Sequence, residues 1–156
     1  MSTLFDLTGR TILVTGASRG IGFAMADTMA QHGANVVLNA RDPDALEAKV
    51  DILRSAGGKA EAGVFDVTDE AASREAMERI DKDHGRLYGL VNNAGVQHRS
   101  PILDFTTKDF EHVVSTNLTS CFVNSREAIR LMGPRGGGRI INTVSMLGPQ
   151  ARPTVP

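Results

Sequence analysis

Cysteine is almost missing from this chain: Cys121 is the one in 156 residues. No internal disulfide can form, and a reducing compartment is expected. Cys121 falls inside an apolar helical pattern and reads as core filler rather than as a nucleophile. Tyrosine is as scarce, with Tyr88 alone. Charge of one sign is also lacking. The 17 Lys and Arg residues against 18 Asp and Glu leave a net charge of −1, so nothing marks a nucleic-acid or membrane-surface partner. No apolar run is long enough to span a bilayer. Residues 1–10 carry Asp6 and lack the apolar centre of a signal peptide. Internal repeats, low-complexity tracts and linkers are absent as well. The expectation is a soluble cytoplasmic protein of one domain, long enough to bury a sizeable core and with no call for a metal.

What is present is centred on residues 11–22, T-I-L-V-T-G-A-S-R-G-I-G. A short β-branched and apolar run leads into a turn holding Gly16, Gly20 and Gly22. A helical pattern follows, with Ile21, Ala24, Met25, Thr28 and Met29 expected on its inner face. Strand, glycine turn and helix in that order form the phosphate-binding corner of a dinucleotide fold. The helix N-terminus offers unpaired N–H groups and a partial positive charge, and glycines let phosphates approach without a Cβ in the way. The spacing is G-x-x-x-G-x-G, and no Gly-Lys-Ser/Thr follows, which argues against a Walker loop.

Strand and helix patterns then alternate, as in a parallel sheet with helices on both faces. Strands are expected at 11–15, 35–39, 60–65, 87–92 and 139–144, with helices at 20–32, from Asp42-Pro43 to Gly57-Gly58, from a Thr68 cap onward, and at 107–132. The second helix should bury Leu46, Val50 and Leu53; the third should bury Ala72, Ala76, Met77 and Ile80. The fourth should start in a capping box of Thr106 and Asp109 and bury Phe110, Val113, Val114, Leu118, Cys121, Phe122, Ile129 and Met132. Residues 148–156 hold three prolines and read as loop.

In a doubly wound sheet, ligands lie beyond the carboxyl ends of the strands. Gly16, Asp66, Asn93 and Ser145 should therefore form one line of sites. Where an NAD-binding fold carries an acidic residue for the ribose 2′-hydroxyl, Asn39-Ala40-Arg41 stands, with Ala40 in the acid's place. With Arg41 adjacent and Arg19 in the glycine turn, a 2′-phosphate is accommodated, so NADP is expected over NAD. Asp42 would reach the ribose if the register moved by one residue, but Asp42-Pro43 also reads as a helix start. Asn117 lies on the apolar stripe of the fourth helix, so its amide should find a partner, either backbone at a local kink or a trapped water.

In order, Thr15-Gly16-Ala17-Ser18-Arg19-Gly20-Ile21-Gly22, Asp66-Val67, Asn92-Asn93-Ala94-Gly95, Asn117 and Ser145 resemble the motifs of classical short-chain dehydrogenases/reductases along the full chain. The resemblance implies a Rossmann-type doubly wound sheet, of whose seven strands about five fall within these residues. It implies hydride transfer between NAD(P)H and a carbonyl or alcohol. Carried over, Gly16, Ser18, Arg19, Gly20, Ile21 and Gly22 hold the cofactor phosphates, with Asn39 and Arg41 at the far ribose. Asp66 and Val67 contact adenine; Asn93, Ala94 and Gly95 line the cofactor; Asn117 holds a proton-relay water and Ser145 the reacting oxygen. Within the family the likeness runs to gluconate 5-dehydrogenases and related sugar-acid reductases. It rests on residues 39–43, Gln97-His98-Arg99 and Ala151-Arg152-Pro153, which makes Arg99 or Arg152 a candidate for a substrate carboxylate and His98 a candidate base.

The family's Tyr-x-x-x-Lys lies past Pro156, and Tyr88, in a strand, cannot replace it. The resemblance therefore implies part of a longer enzyme, with an exposed last strand and marginal stability when isolated; a non-catalytic dinucleotide-binding domain stands as the alternative. A homodimer or homotetramer through the fourth helix is the implied assembly.

Overall fold

The computed structural model describes residues 3–145. Strands β1 (Thr11–Val14), β2 (Asn35–Ala40), β3 (Lys59–Val64), β4 (Leu87–Asn92) and β5 (Arg139–Asn142) form a sheet of order β3-β2-β1-β4-β5, and every pair is parallel. Helices α1 (Gly20–Gln31) and α2 (Pro43–Ser55) cover one face, while α3 (Glu70–Asp83) and α5 (Ser120–Met132) cover the other. Alternation along β1 feeds both layers: Ile12 and Val14 join one core cluster and Leu13 the other. Each expected strand exists, with ends moved by one or two residues. Residues 148–156, including Arg152, lie outside the described residues.

Three corrections concern helix faces. The buried residues of α1 are Gly22, Ala26 and Ala30, whereas Ile21 is exposed. Small side chains let the helix lie close to the sheet, a cause that apolar periodicity does not register. The cap of α3 is Asp69, which accepts from the Ala72 amide at 3.0 Å. Thr68 instead donates its hydroxyl to Asp66 at 2.7 Å. The fourth helical stretch is interrupted: α4 (Thr107–Val114) passes through a π-helical turn, Ser115–Thr119, into α5. Of its expected stripe Phe110, Leu118, Phe122 and Ile129 are exposed, Val113, Val114 and Cys121 are half-buried, and Met132 is buried as expected. Thr116, Ser120, Asn124, Glu127, Ala128 and Met132 are the ones buried. The extra residue in the π turn breaks the 3.6-residue repeat, so one continuous stripe cannot describe both halves. Cys121 is only half-buried, its thiol donating to the Asn117 carbonyl at 3.3 Å. The expected caps at Asp42 and Thr106 are both present.

The packing of α3 on α5 holds a buried charge. Glu127 is 3% exposed and receives Arg74 at 3.2 Å, Arg130 at 3.0 Å and Arg126 at 3.1 Å. Burial raises the Glu127 pKa, but the hydrogen bonds from the three guanidinium groups outweigh that and hold it below its ordinary 4.5. A depressed folded-state pKa gives stability that is present above the unfolded value and is lost as pH falls through the folded one. Glu127→Gln should therefore cost about 1–3 kcal/mol near neutrality. In urea titrations the deficit should shrink as pH falls below 4.5; a deficit independent of pH would contradict this account.

Candidate cofactor-binding site

The carboxyl ends of β1 to β4 open into a cleft of about 690 Å³. Its floor is a contact between two loops. The Thr15 hydroxyl accepts from the backbone amides of Asn93 at 2.9 Å and Ala94 at 3.0 Å, and donates to the Val91 carbonyl at 3.2 Å. Asn93 returns the contact, its amide group donating to the carbonyls of Thr15 at 3.0 Å and Gly16 at 3.2 Å. Two glycines are dictated by this closeness. A Cβ at Gly16, where φ is +63°, would stand 2.8 Å from the Ala94 Cα. One at Gly22 would stand 2.4 Å from the Asn93 amide nitrogen and 2.5 Å from the Gly16 carbonyl oxygen.

Beyond this floor the first turn of α1 enters the cleft wall. Helices α2, α3 and α4 each begin with a side-chain cap, but at α1 the capping residue, Arg19, is extended and makes no such bond. The leading N–H groups of α1 thus face the cleft without a side-chain acceptor, and the position over Gly20 is open, with nothing within 4 Å of a built Cβ. An uncapped helix start above a glycine floor is the arrangement that receives a pyrophosphate. The residues present fit a dinucleotide on that ground.

The cleft gathers most of the residues singled out in the sequence: Gly16, Ser18, Arg19, Gly20, Ile21, Asn39, Arg41, Asp66, Val67, Asn93, Ala94 and Gly95 all line it. Gly22 lies just beneath. Asn39 is 1% exposed, and its side-chain amide donates to the carbonyls of Gly63 and Phe65, both at 2.9 Å, while its backbone carbonyl receives the Ala17 amide at 2.8 Å. Its side chain therefore ties the end of β3 to that of β2. Asp42 caps α2 through the Ala45 amide at 3.0 Å, the helix start that Asp42-Pro43 announces, and it also lines the cleft beside Arg41. One Asp66 oxygen accepts from the Thr68 amide at 2.9 Å and hydroxyl at 2.7 Å; the other faces Arg41 at 3.6 Å. Burial works against ionisation of Asp66, but these partners prevail and hold its pKa below the ordinary 3.8.

Asn117 is exposed rather than buried, a correction caused by the π turn that carries it. Its amide is nonetheless paired, as expected, with backbone at a kink: it donates to the Val96 carbonyl at 2.9 Å and accepts from the Val96 amide at 2.8 Å. Ser145 follows β5 and is exposed. His98 packs edge-on to Phe105 with ring centroids 5.1 Å apart and lies 3.9 Å from Asp109, while Arg99 is exposed on the same loop. Ala45, Phe65, Thr68, Val96, His112 and Thr116 also line the cleft, and the sequence reading assigned none of them to the site. His112 and Thr116 stand four apart, a helical spacing that places both on one face of the fourth helical stretch.

Strand order and cleft position define a Rossmann-type α/β protein. The chain belongs to the short chain dehydrogenase family, which it matches over residues 10–156. It is 42% identical over 152 residues to a gluconate 5-dehydrogenase of Gluconobacter oxydans, covering 97% of this chain and 59% of that one. It is 37% identical over 155 residues to the 5-keto-D-gluconate 5-reductase of Escherichia coli, covering 99% and 61%. Among solved structures, a gluconate 5-dehydrogenase from Burkholderia cenocepacia in complex with NADP and tartrate superposes with a TM-score of 0.90 at 37% identity, covering 97% of this chain and 59% of that one. The chain thus spans about three fifths of the relatives it matches. Among the described residues no helix is long and apolar enough to cross a membrane.

Thr15→Val keeps the shape of the side chain but leaves the Asn93 and Ala94 amides without their acceptor. A loss of about 2–4 kcal/mol follows from two such groups, and Thr15→Ser should recover most of it. Urea midpoints at unchanged slope measure both variants; equal stability of the Val and Ser forms would refute the role of the hydroxyl.

Proposed function

We propose that these residues are the cofactor-binding part of an NADP-dependent oxidoreductase acting on a carbonyl or alcohol of a sugar acid of the gluconate type. The observation that carries the cofactor half of this reading is the uncapped start of α1 above the Gly16–Ala94 contact. When bound, the nicotinamide supplies or accepts the hydride. The chain's own residues bind and orient. The leading amides of α1, with Ser18 and Arg19, take the pyrophosphate; Asp66 and Val67 bound the adenine end; Asn93, Ala94 and Gly95 form a flat floor toward the nicotinamide. Ala40 presents no carboxylate at the far ribose, and Arg41 stands beside it, which supports a 2′-phosphate. Ser145 is assigned the reacting oxygen of the substrate, and Asn117 the position of a relay water on the loop–helix junction that it fastens.

The sugar-acid assignment is supported by the names of the relatives and by Arg99, which is exposed on the loop after β4 and suited to a carboxylate. His98, tied to Phe105 and Asp109, is the weaker substrate group. The outward row of Phe110, Leu118, Phe122 and Ile129 supports assembly through α4 and α5 as a homodimer or homotetramer.

Fluorescence titration with NADPH and NADH tests the cofactor assignment. Arg41→Ala removes a charge-assisted contact, for which about 1.5–3 kcal/mol is usual. NADPH affinity should fall about tenfold or more while NADH affinity barely moves. Equal losses for both, or no binding by the unaltered chain, would reject the NADP reading. NADPH oxidation dependent on keto-gluconate, measured on a longer version that carries the family's Tyr-x-x-x-Lys, tests the substrate, with Ser145→Ala expected to lower turnover rather than cofactor affinity.

A further inference from the structure

The geometry points to the Asp66 carboxylate as a counter-charge that restrains Arg41 and sets how strongly the cleft prefers a 2′-phosphorylated dinucleotide over the unphosphorylated one. The inference rests on the cofactor reading above and goes beyond it in naming a residue that works against the phosphate.

Asp66 is not a loosely placed surface acid. One of its oxygens is fixed by two bonds from Thr68, the amide at 2.9 Å and the hydroxyl at 2.7 Å. That leaves the second oxygen directed at the Arg41 guanidinium, 3.6 Å away. The Asn39 amide group, donating to the carbonyls of Gly63 and Phe65, holds the end of β3 beside the end of β2, so the two residues are brought together by the sheet. Both line the cleft. Arg41 keeps 72% of its side chain exposed and Asp66 keeps 40%, so the pair can part without a buried charge being left behind.

A 2′-phosphate would compete with Asp66 for the same guanidinium and would also be repelled by the carboxylate, which stays put because Thr68 holds it. An unphosphorylated ribose asks for neither change and leaves the pair intact. Asp66 therefore narrows the preference that Arg41 creates.

The test compares NADPH and NADH dissociation constants for the unaltered chain, Asp66→Asn, Arg41→Ala and the double variant. Asn keeps an oxygen for the Thr68 amide and removes only the charge. Asp66→Asn should raise the preference for NADPH over NADH by about two- to fivefold, the range of an exposed ion pair, and added salt should diminish the gain. With Arg41→Ala in place the gain should be smaller, since part of it comes from releasing the guanidinium. A shift of NADPH and NADH by the same factor would make Asp66 an adenine contact alone and overturn the inference while leaving the cofactor reading standing. A gain as large without Arg41 as with it would also overturn it. Failure of the unaltered chain to bind either dinucleotide would end both readings. Thermal melts of each variant separate these outcomes from loss of fold.

Discussion

Two loops meet in this protein at backbone contact distance. Gly16 lies against the Ala94 backbone, and Gly22 lies against both Gly16 and the Asn93 amide. A single hydroxyl, that of Thr15, then serves both backbone amides on the opposite loop. The orientation of α1 follows, because its first turn starts from a backbone that cannot shift away. So does the flatness of the floor, which Ala94 and Gly95 continue. A larger residue at any of these points would lift the helix start off the loop, and the row of amides facing the cleft would no longer converge on one place.

The strands and the cleft were legible in the sequence for one reason: both depend on short-range patterns. Apolar runs buried on two faces announce parallel strands, and glycine spacing announces a turn whatever packs around it. Helix faces were less legible. The row Phe110, Leu118, Phe122 and Ile129 is as periodic as a core face, yet it points outward. Periodicity identifies an apolar face but not what covers it. In α1 the opposite happened. Its inner face is built from Gly22, Ala26 and Ala30, residues too small to register as a stripe. The π turn is a third case. Nothing in Ser115–Thr119 signals an extra residue per turn, and its effect was to bring Asn117 to the surface while keeping the amide bonded to Val96. His112 and Thr116 were missed because the sequence reading placed the fourth helix by its apolar side alone.

Amide side chains show why site residues and structural residues are hard to separate by type. Asn39 joins the ends of β2 and β3, and Asn93 joins the two loops of the floor. Asn92 donates to Ser125 at 3.0 Å and Asn142 at 2.8 Å, linking β4 to α5 and β5. Asn117 fastens the π turn to the loop after β4. Asn39, Asn92 and Asn93 stand at or near strand ends, where a ligand-binding amide would also stand, and each of the four has its N–H groups engaged with the protein. A buried or half-buried amide without such partners is costly. The fold therefore consumes the very hydrogen-bonding capacity that composition would assign to a ligand.

What remains for a ligand is of another kind: backbone N–H groups at the start of α1, open space over Gly20, and the charges of Arg19, Arg41 and Asp66. Backbone amides and a helix terminus recognise phosphate without reference to the rest of the molecule that carries it. Discrimination must then come from the few side chains at the rim, and there the charges are close enough to oppose one another, Arg41 and Asp66 being 3.6 Å apart. A fixed, generic grip at the centre with an adjustable balance of charge at the edge lets ligand preference change by single substitutions that leave the packing untouched. The same division explains why the centre is built from glycine, alanine and threonine held at contact distance, whereas Arg19 and Arg41 at the rim are exposed.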